Sequence, residues 1–172
     1  QETKTQDEAF PAAVLTELGY HCAFCGEKTY NGVAILSKEV AQDICVDFDT
    51  FPSFPVRQKR ILAVTYRGIR IVNVYVPNGE AVGTEKYSYK LSWLAALRVW
   101  LINQLAMYPK LIVAGDFNIA PEDRDVHDPQ AWRDAVLCSP AERAALNALT
   151  ECGLRDSLRH VTQDSGLYSW WD

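Results

Sequence analysis

Asp116 and Asn118 stand two residues apart, directly after the apolar run at residues 111–114 and Gly115. A carboxylate and an amide at the mouth of a strand can do chemistry. Their oxygens are hard ligands suited to Mg²⁺, and a carboxylate beside a metal-bound water can take its proton. The pair can equally well form a turn, since Asp and Asn side chains readily hydrogen-bond nearby backbone. These two residues alone leave both readings open.

Other residues with chemical potential read more plainly as structure. His127, between Asp125 and Asp128 in "DRDVHDP", invites a metal reading, but the loop is expected to be a structural turn. His160 in "DSLRH" is expected to pack or to hydrogen-bond, and Trp93, Trp100 and Trp132 to lie in the core. The chain holds five cysteines, an odd number that argues against a disulfide framework. Cys22 and Cys25 form a lone C-x-x-C with no second pair nearby, so they are read as buried or half-buried strand thiols. Arg57, Lys59 and Arg60 make a small basic cluster that is read as solvated.

The elements that must position these groups follow from the pattern of the chain. Residues from about Pro11 form a short helix closed by Gly19. Residues 20–25 and 33–37 read as strands joined by the turn "GEKTYNG", and "DICVDF" as a third. Two β-branched runs flank Arg67-Gly68, a hairpin signal, and the second run ends in Pro77-Asn78-Gly79. Leu91, Leu94, Leu97, Leu101 and Leu105 recur at helical spacing, which predicts a long amphipathic helix over about 86–107. "KLIVAGD" then reads as a short buried strand. Ser139-Pro140-Ala141-Glu142 opens a further helix with a capping box, closed by Gly153. A last strand is expected at "LYSWWD". Mixed α and β elements with hairpins and crossovers imply one layered domain.

The motifs "QETK", "YNGVAILS", "YVPNG", "GDFNIAPEDRDVHDP", "SPAER" and "YSWWD" occur in this order along the whole chain. In that set the sequence resembles the exonuclease III family of DNA-repair enzymes, within the endonuclease/exonuclease/phosphatase superfamily. The resemblance implies an α+β fold of the DNase I-like type, a four-layered αββα sandwich. It implies metal-dependent cleavage 5′ of abasic sites, together with exonuclease action and cleaning of 3′ ends. Glu2 matches the family's metal-binding glutamate, with Asp116 and Asn118 as further metal-site residues. Tyr75 matches the tyrosine near the scissile phosphate. Asp116 matches the aspartate that handles the water or leaving-group proton, and Asn118 the asparagine that orients water and phosphate. Lys4, Tyr30 and Asn78 match positions near the DNA backbone, and Trp170 an aromatic lining the pocket for an extrahelical sugar. The implied cofactor is Mg²⁺, with Mn²⁺ as the alternative. The implied partner is double-stranded DNA, bound by a monomer.

Relative to the family pattern, an opening strand with an active-site asparagine and a closing segment with an Asp-His pair lie outside residues 1–172. The chain is therefore expected to be a single domain truncated at both ends and inactive by itself, with sheet edges and apolar faces uncovered. Other readings are a relative acting on another phosphoester, such as RNA or a phosphoinositide, and a non-catalytic remnant. A net charge of −5 disfavours direct phosphate binding, but a carboxylate-held cation supplies positive charge locally. No apolar run reaches the length of a membrane span, and a cytoplasmic setting is expected.

Overall fold

A two-residue turn organises the central sheet. Arg67 and Gly68 both adopt positive φ, +50° and +76°, so they form the tight connection whose twist matches the flanking strands. The computed structural model describes residues 1–48 and 58–168. Its strands are β1 (His21–Cys25), β2 (Val33–Ser37), β3 (Gln42–Val46), β4 (Ile61–Tyr66), β5 (Ile69–Tyr75) and β6 (Leu111–Asp116). Its α-helices are α1 (Ala12–Glu17), α2 (Glu85–Met107), α3 (Pro140–Thr150) and α4 (Ser157–Val161). The class is α+β, as expected from the sequence.

The chain divides into two compact units. The first comprises residues 1–76 and 103–117 and contains both sheets. β1 and β2 form an antiparallel pair, and β3-β4-β5-β6 form a four-stranded sheet. Between the sheets lie Ala23, Cys25, Val33, Leu62, Val64 and Tyr75, flanked by Ile35 and Ile71. β4 is buried from Ile61 to Thr65, as a central strand requires. β6 runs parallel to β5, with Tyr75 opposite Asp116. It is not the buried strand expected: it closes one edge of its sheet, its residues are all half-buried or exposed, and Ile112 is 51% exposed. Leu36, Ile44 and Val46 are further exposed apolar strand residues.

Gly115 has a specific reason in this sheet. Its φ is +141°, and a Cβ there would come within 2.0 Å of the Val74 carbonyl oxygen. Only glycine lets β6 approach β5 this closely, one residue before Asp116.

The second unit comprises residues 77–102 and 118–172. Its part of α2 buries Lys90, Trp93, Leu94, Leu97, Trp100 and Leu101. The expected leucine stripe is thus centred differently, because Leu91 is only half-buried and Trp93 and Trp100 carry the apolar face. α3 begins with the expected capping box: Ser139 Oγ accepts from the Glu142 amide at 3.3 Å, and Glu142 accepts from the Ser139 amide at 3.2 Å. α4 was not expected; Asp156 caps it by accepting from the Arg159 amide at 3.0 Å.

Several smaller expectations need correction. His160, expected to pack or to hydrogen-bond, is not packed: α4 leaves it exposed. Trp132 is half-buried in the 118–137 loop rather than in the core. Residues 167 and 168 are irregular, and the rest of the expected last strand, with Trp170, lies outside the described residues.

Candidate active site

The N-terminal segment reaches its place by backbone pairing. The Thr3 amide donates to the Gly32 carbonyl at 3.2 Å and the Lys4 amide to the Asn31 carbonyl at 3.0 Å. Gly32 makes room for this docking, since a Cβ there would meet Thr3 Oγ1 at 2.0 Å. Gln1 Nε2 donates to Asn73 Oδ1 at 2.9 Å, tying the segment to β5. Glu2 and Lys4 take left-handed φ values of 53° and 51°, conformations that cost non-glycine residues energy. A single turn of such backbone brings both side chains together.

Glu2 is held from two sides. The Tyr75 hydroxyl donates to Glu2 Oε1 in a short hydrogen bond, and Lys4 Nζ lies 2.8 Å from Glu2 Oε2. Lys4, and then Tyr75, hold the Glu2 carboxyl below its ordinary value. The two partners therefore keep it anionic. Tyr75 shows the opposite displacement: burial, and then Glu2, push its phenol up to about 12. Tyr75 thus stays a neutral donor at any ordinary pH.

Asp116 terminates β6 opposite Tyr75, and paired residues of neighbouring strands project to the same face. Its charge adds to the upward push on the Tyr75 phenol. Strand pairing thus brings Tyr75 and Asp116 side by side, and a side-chain bond adds Glu2. Lys4 belongs to the same group. Tyr30 is 69% exposed in the loop between β1 and β2, next to Asn31, whose carbonyl accepts from the Lys4 amide at 3.0 Å.

Arg60 is a member that sequence reasoning missed. Its guanidinium lies over the Tyr75 ring, 4.6 Å from the centroid, and Nη1 donates to the Tyr75 carbonyl at 3.2 Å. Expected to be solvated, it is half-buried against the tyrosine. Its position directly before β4, and so beside the end of β5, was the available signal. Arg57 lies outside the described residues.

Asn78 and Asn118 belong to the second unit and are joined there. Asn78 Nδ2 donates to Asn118 Oδ1 at 3.3 Å, and Asn78 Oδ1 accepts from the Glu80 amide at 3.1 Å. Asn118 has φ +49°, a value Asn tolerates better than most residues. The Asp116-x-Asn118 stretch is therefore more than a self-contained turn, since Asn118 answers to a distant asparagine.

The remaining candidates behave as structural groups. Asp128 accepts from the amides of Gln130 and Ala131, both at 3.1 Å, which makes "DVHDP" a turn. Asp125 pairs with Arg159, and His127 is exposed with its ring edge-on to Tyr168 at 6.1 Å. Cys22 and Cys25 are free strand thiols, and burial pushes the Cys25 thiol up to about 11. Among the described residues no three His, Cys, Asp or Glu side chains gather to form a metal cluster. No helix among them is long and apolar enough to cross a membrane.

A hard cation still fits the donor set of the first unit. Mg²⁺ is commonly held by one or two carboxylates, with water and substrate phosphate completing its shell. Glu2, anionic and partly exposed, and Asp116 offer carboxylate oxygens of that kind.

A family model described as "Endonuclease/Exonuclease/phosphatase family" matches residues 1–172. The chain is 33% identical over 184 residues to an exodeoxyribonuclease III of Haemophilus influenzae, covering 100% of this chain and 68% of the relative. Among solved structures it resembles a 3′ phosphatase from Neisseria bound to a product DNA hairpin, with 43% identity and a TM-score of 0.94. That likeness covers 99% of this chain and 66% of the other. An AP endonuclease from Archaeoglobus fulgidus is similar at 35% identity and a TM-score of 0.92, over 99% of this chain and 65% of that one. The chain spans about two thirds of the length of these relatives.

Proposed function

The chain belongs to the endonuclease/exonuclease/phosphatase family, and from that premise we propose that the whole protein is a DNA-repair nuclease of the exodeoxyribonuclease III type. In this reading it hydrolyses the phosphodiester 5′ of abasic sites and removes nucleotides or blocking groups from 3′ ends of duplex DNA. The observation that carries the reading is the Glu2–Tyr75 bond beside Asp116 at the paired ends of β5 and β6. A carboxylate, a neutral donor and a second carboxylate together suit attack on a phosphodiester, which needs both proton transfer and charge neutralisation.

Roles follow from the chemistry of each group. Tyr75, its phenol pushed up to about 12, would turn its single O–H from Glu2 to a phosphate oxygen, without adding a competing negative charge. Asp116 accepts the proton of the attacking water as the bond from phosphorus to the 3′ oxygen breaks, and the departing oxygen takes a proton from solvent water to become the 3′ hydroxyl. Glu2, with Asp116 and Asn118, would hold Mg²⁺ or Mn²⁺. That ion, when bound, supplies positive charge to a phosphate oxygen. Lys4 holds Glu2 in its anionic form and lies near the DNA backbone. In the second unit Asn118 orients water and phosphate, with Asn78 beside the backbone. Tyr30 and Trp170 complete the DNA contacts. An abasic sugar has no base to unstack, so turning it out of the helix costs little and itself confers selectivity.

The relatives support DNA as the substrate: the solved Neisseria protein is a 3′ phosphatase bound to a DNA hairpin, and the Haemophilus relative is an exodeoxyribonuclease III. The test is to incubate the full-length protein with Mg²⁺ and abasic, nicked and intact duplexes. Incision 5′ of the abasic site and shortening from 3′ ends are expected. Turnover of RNA or phosphoinositide with none of these duplexes cut would overturn the reading.

A further inference from the structure

Lys90 and Glu142 are both fully buried and lie against each other, 52 residues apart in the chain. Burying two charges costs more than their attraction returns unless every proton and lone pair is used. Here they are used. Lys90 Nζ, with three protons to give, donates to Glu142, to the Asn78 carbonyl at 3.0 Å and to the Asn118 carbonyl at 2.6 Å. Glu142 accepts besides from the Leu137 amide at 3.0 Å, the Ser139 amide at 3.2 Å and Ser139 Oγ at 2.6 Å. Ser139 Oγ meets the Tyr87 hydroxyl at 2.7 Å. The stem of Lys90 passes under Gly79, where a Cβ would come within 3.1 Å of Lys90 Cδ.

Two loops far apart in sequence thus end on one ammonium group. A hydrophobic residue at position 90 would complete the α2 face, yet the chain carries a charge that must be neutralised there. The side chains of the two clamped residues also bond to each other, Asn78 Nδ2 to Asn118 Oδ1. Fixing both carbonyls fixes where the two carboxamides point. We propose that Lys90, seated by Glu142, is a positioning residue that sets the aim of the Asn78 and Asn118 carboxamides toward the reacting phosphate. The proposal rests on the reading that these asparagines serve a phosphate. It assigns the buried pair a part in turnover beyond its part in folding.

The test uses the full-length protein with Lys90→Met, and with Lys90→Met/Glu142→Gln so that no unpaired charge stays buried should the single variant fold poorly. On abasic duplex kcat is expected to fall by about 10²-fold, the scale of an ångström-size misplacement, while KM stays within about threefold. In an Asn78→Ala/Asn118→Ala background the same change at position 90 should cost less than about threefold, because both groups it aims are gone. Equal losses in both backgrounds would overturn the proposal, as would unchanged kcat in a folded variant. A second arm needs no activity: the ¹⁵N carboxamide signals of Asn78 and Asn118 should shift or broaden in the variants while the rest of the spectrum holds. If those signals do not move, Lys90 does not position the pair. If the unaltered protein cuts no phosphodiester, the proposed function falls alone, and the carboxamide signals still decide the role of Lys90.

Discussion

The two units hold their polar groups in opposite ways. In the first, Glu2 meets Lys4 in an ion pair whose side chains are 42% and 56% exposed, on backbone of left-handed φ. In the second, Lys90 and Glu142 have no exposure at all, and each makes several further hydrogen bonds. An exposed pair is worth little to stability and exchanges partners easily, whereas a buried, satisfied pair costs much to break. The first arrangement suits groups that must meet a cation, water and a phosphate. The second suits a frame that must not move. The contrast separates groups poised for exchange from groups that hold loops in place, and substitutions should divide accordingly.

The largest effect on stability is expected in the second unit. Glu142→Leu strands the Lys90 charge and should destabilise the fold by about 3–5 kcal/mol, seen in urea unfolding. A change under about 1 kcal/mol, the range of an exposed pair, would erase the contrast. Tyr75→Phe should act the other way round. Losing one donor to the transition state should slow incision by about 10²–10³-fold, with the urea midpoint little changed. A fall in stability that accounted for the loss would make Tyr75 part of the frame.

A smaller effect should appear in titration. Lys4 is the chief cause of the lowered Glu2 pKa, so Lys4→Met should move the Glu2 titration back up toward the ordinary glutamate range. The sign is fixed: a depressed carboxyl contributes stability above its unfolded pKa, and that contribution fades as pH falls through the folded value. ¹³C carboxyl shifts of Glu2 followed against pH would record the change, and an unmoved titration would assign the displacement to Tyr75. Tyr30→Ala should do least. The side chain is exposed, so DNA affinity should weaken by no more than about 1 kcal/mol with the rate of cutting unaltered.

Much of this was legible in the chain. Arg67-Gly68 announced the hairpin, Ser139-x-x-Glu142 the capped helix, and the valine and isoleucine runs the central strands, because these signals are local and repeat along a few residues. What was not legible depends on contacts between distant segments. Lys90 sits at helical spacing from Trp93, Leu94 and Leu97, and so was on the buried face all along, but a lysine there reads as an error until Glu142 is seen beside it. Glu142 in turn looked complete as a cap. Arg60 looked like one of several surface cations until the β4–β5 pairing set it over Tyr75. The strand expected to be buried at residues 111–116 is a sheet edge, since an apolar run gives no information about neighbours. Of the candidate site, Glu2, Tyr75 and Asp116 are joined by bonding or strand register, and Asn78 with Asn118 by a side-chain hydrogen bond. Those pairings join residues up to 73 positions apart and could be expected only through the resemblance.

The proposed role of Asp116 is to act on the proton and not on the grip. Its most direct test is single-turnover incision of an abasic duplex by the full-length protein carrying Asp116→Asn, with Kd measured on the same DNA. A rate lower by at least about 10²-fold and a Kd unchanged or tighter are expected, because a negative charge beside phosphate has been removed. A Kd that weakens in proportion to the lost rate, or a rate that does not fall, would contradict it.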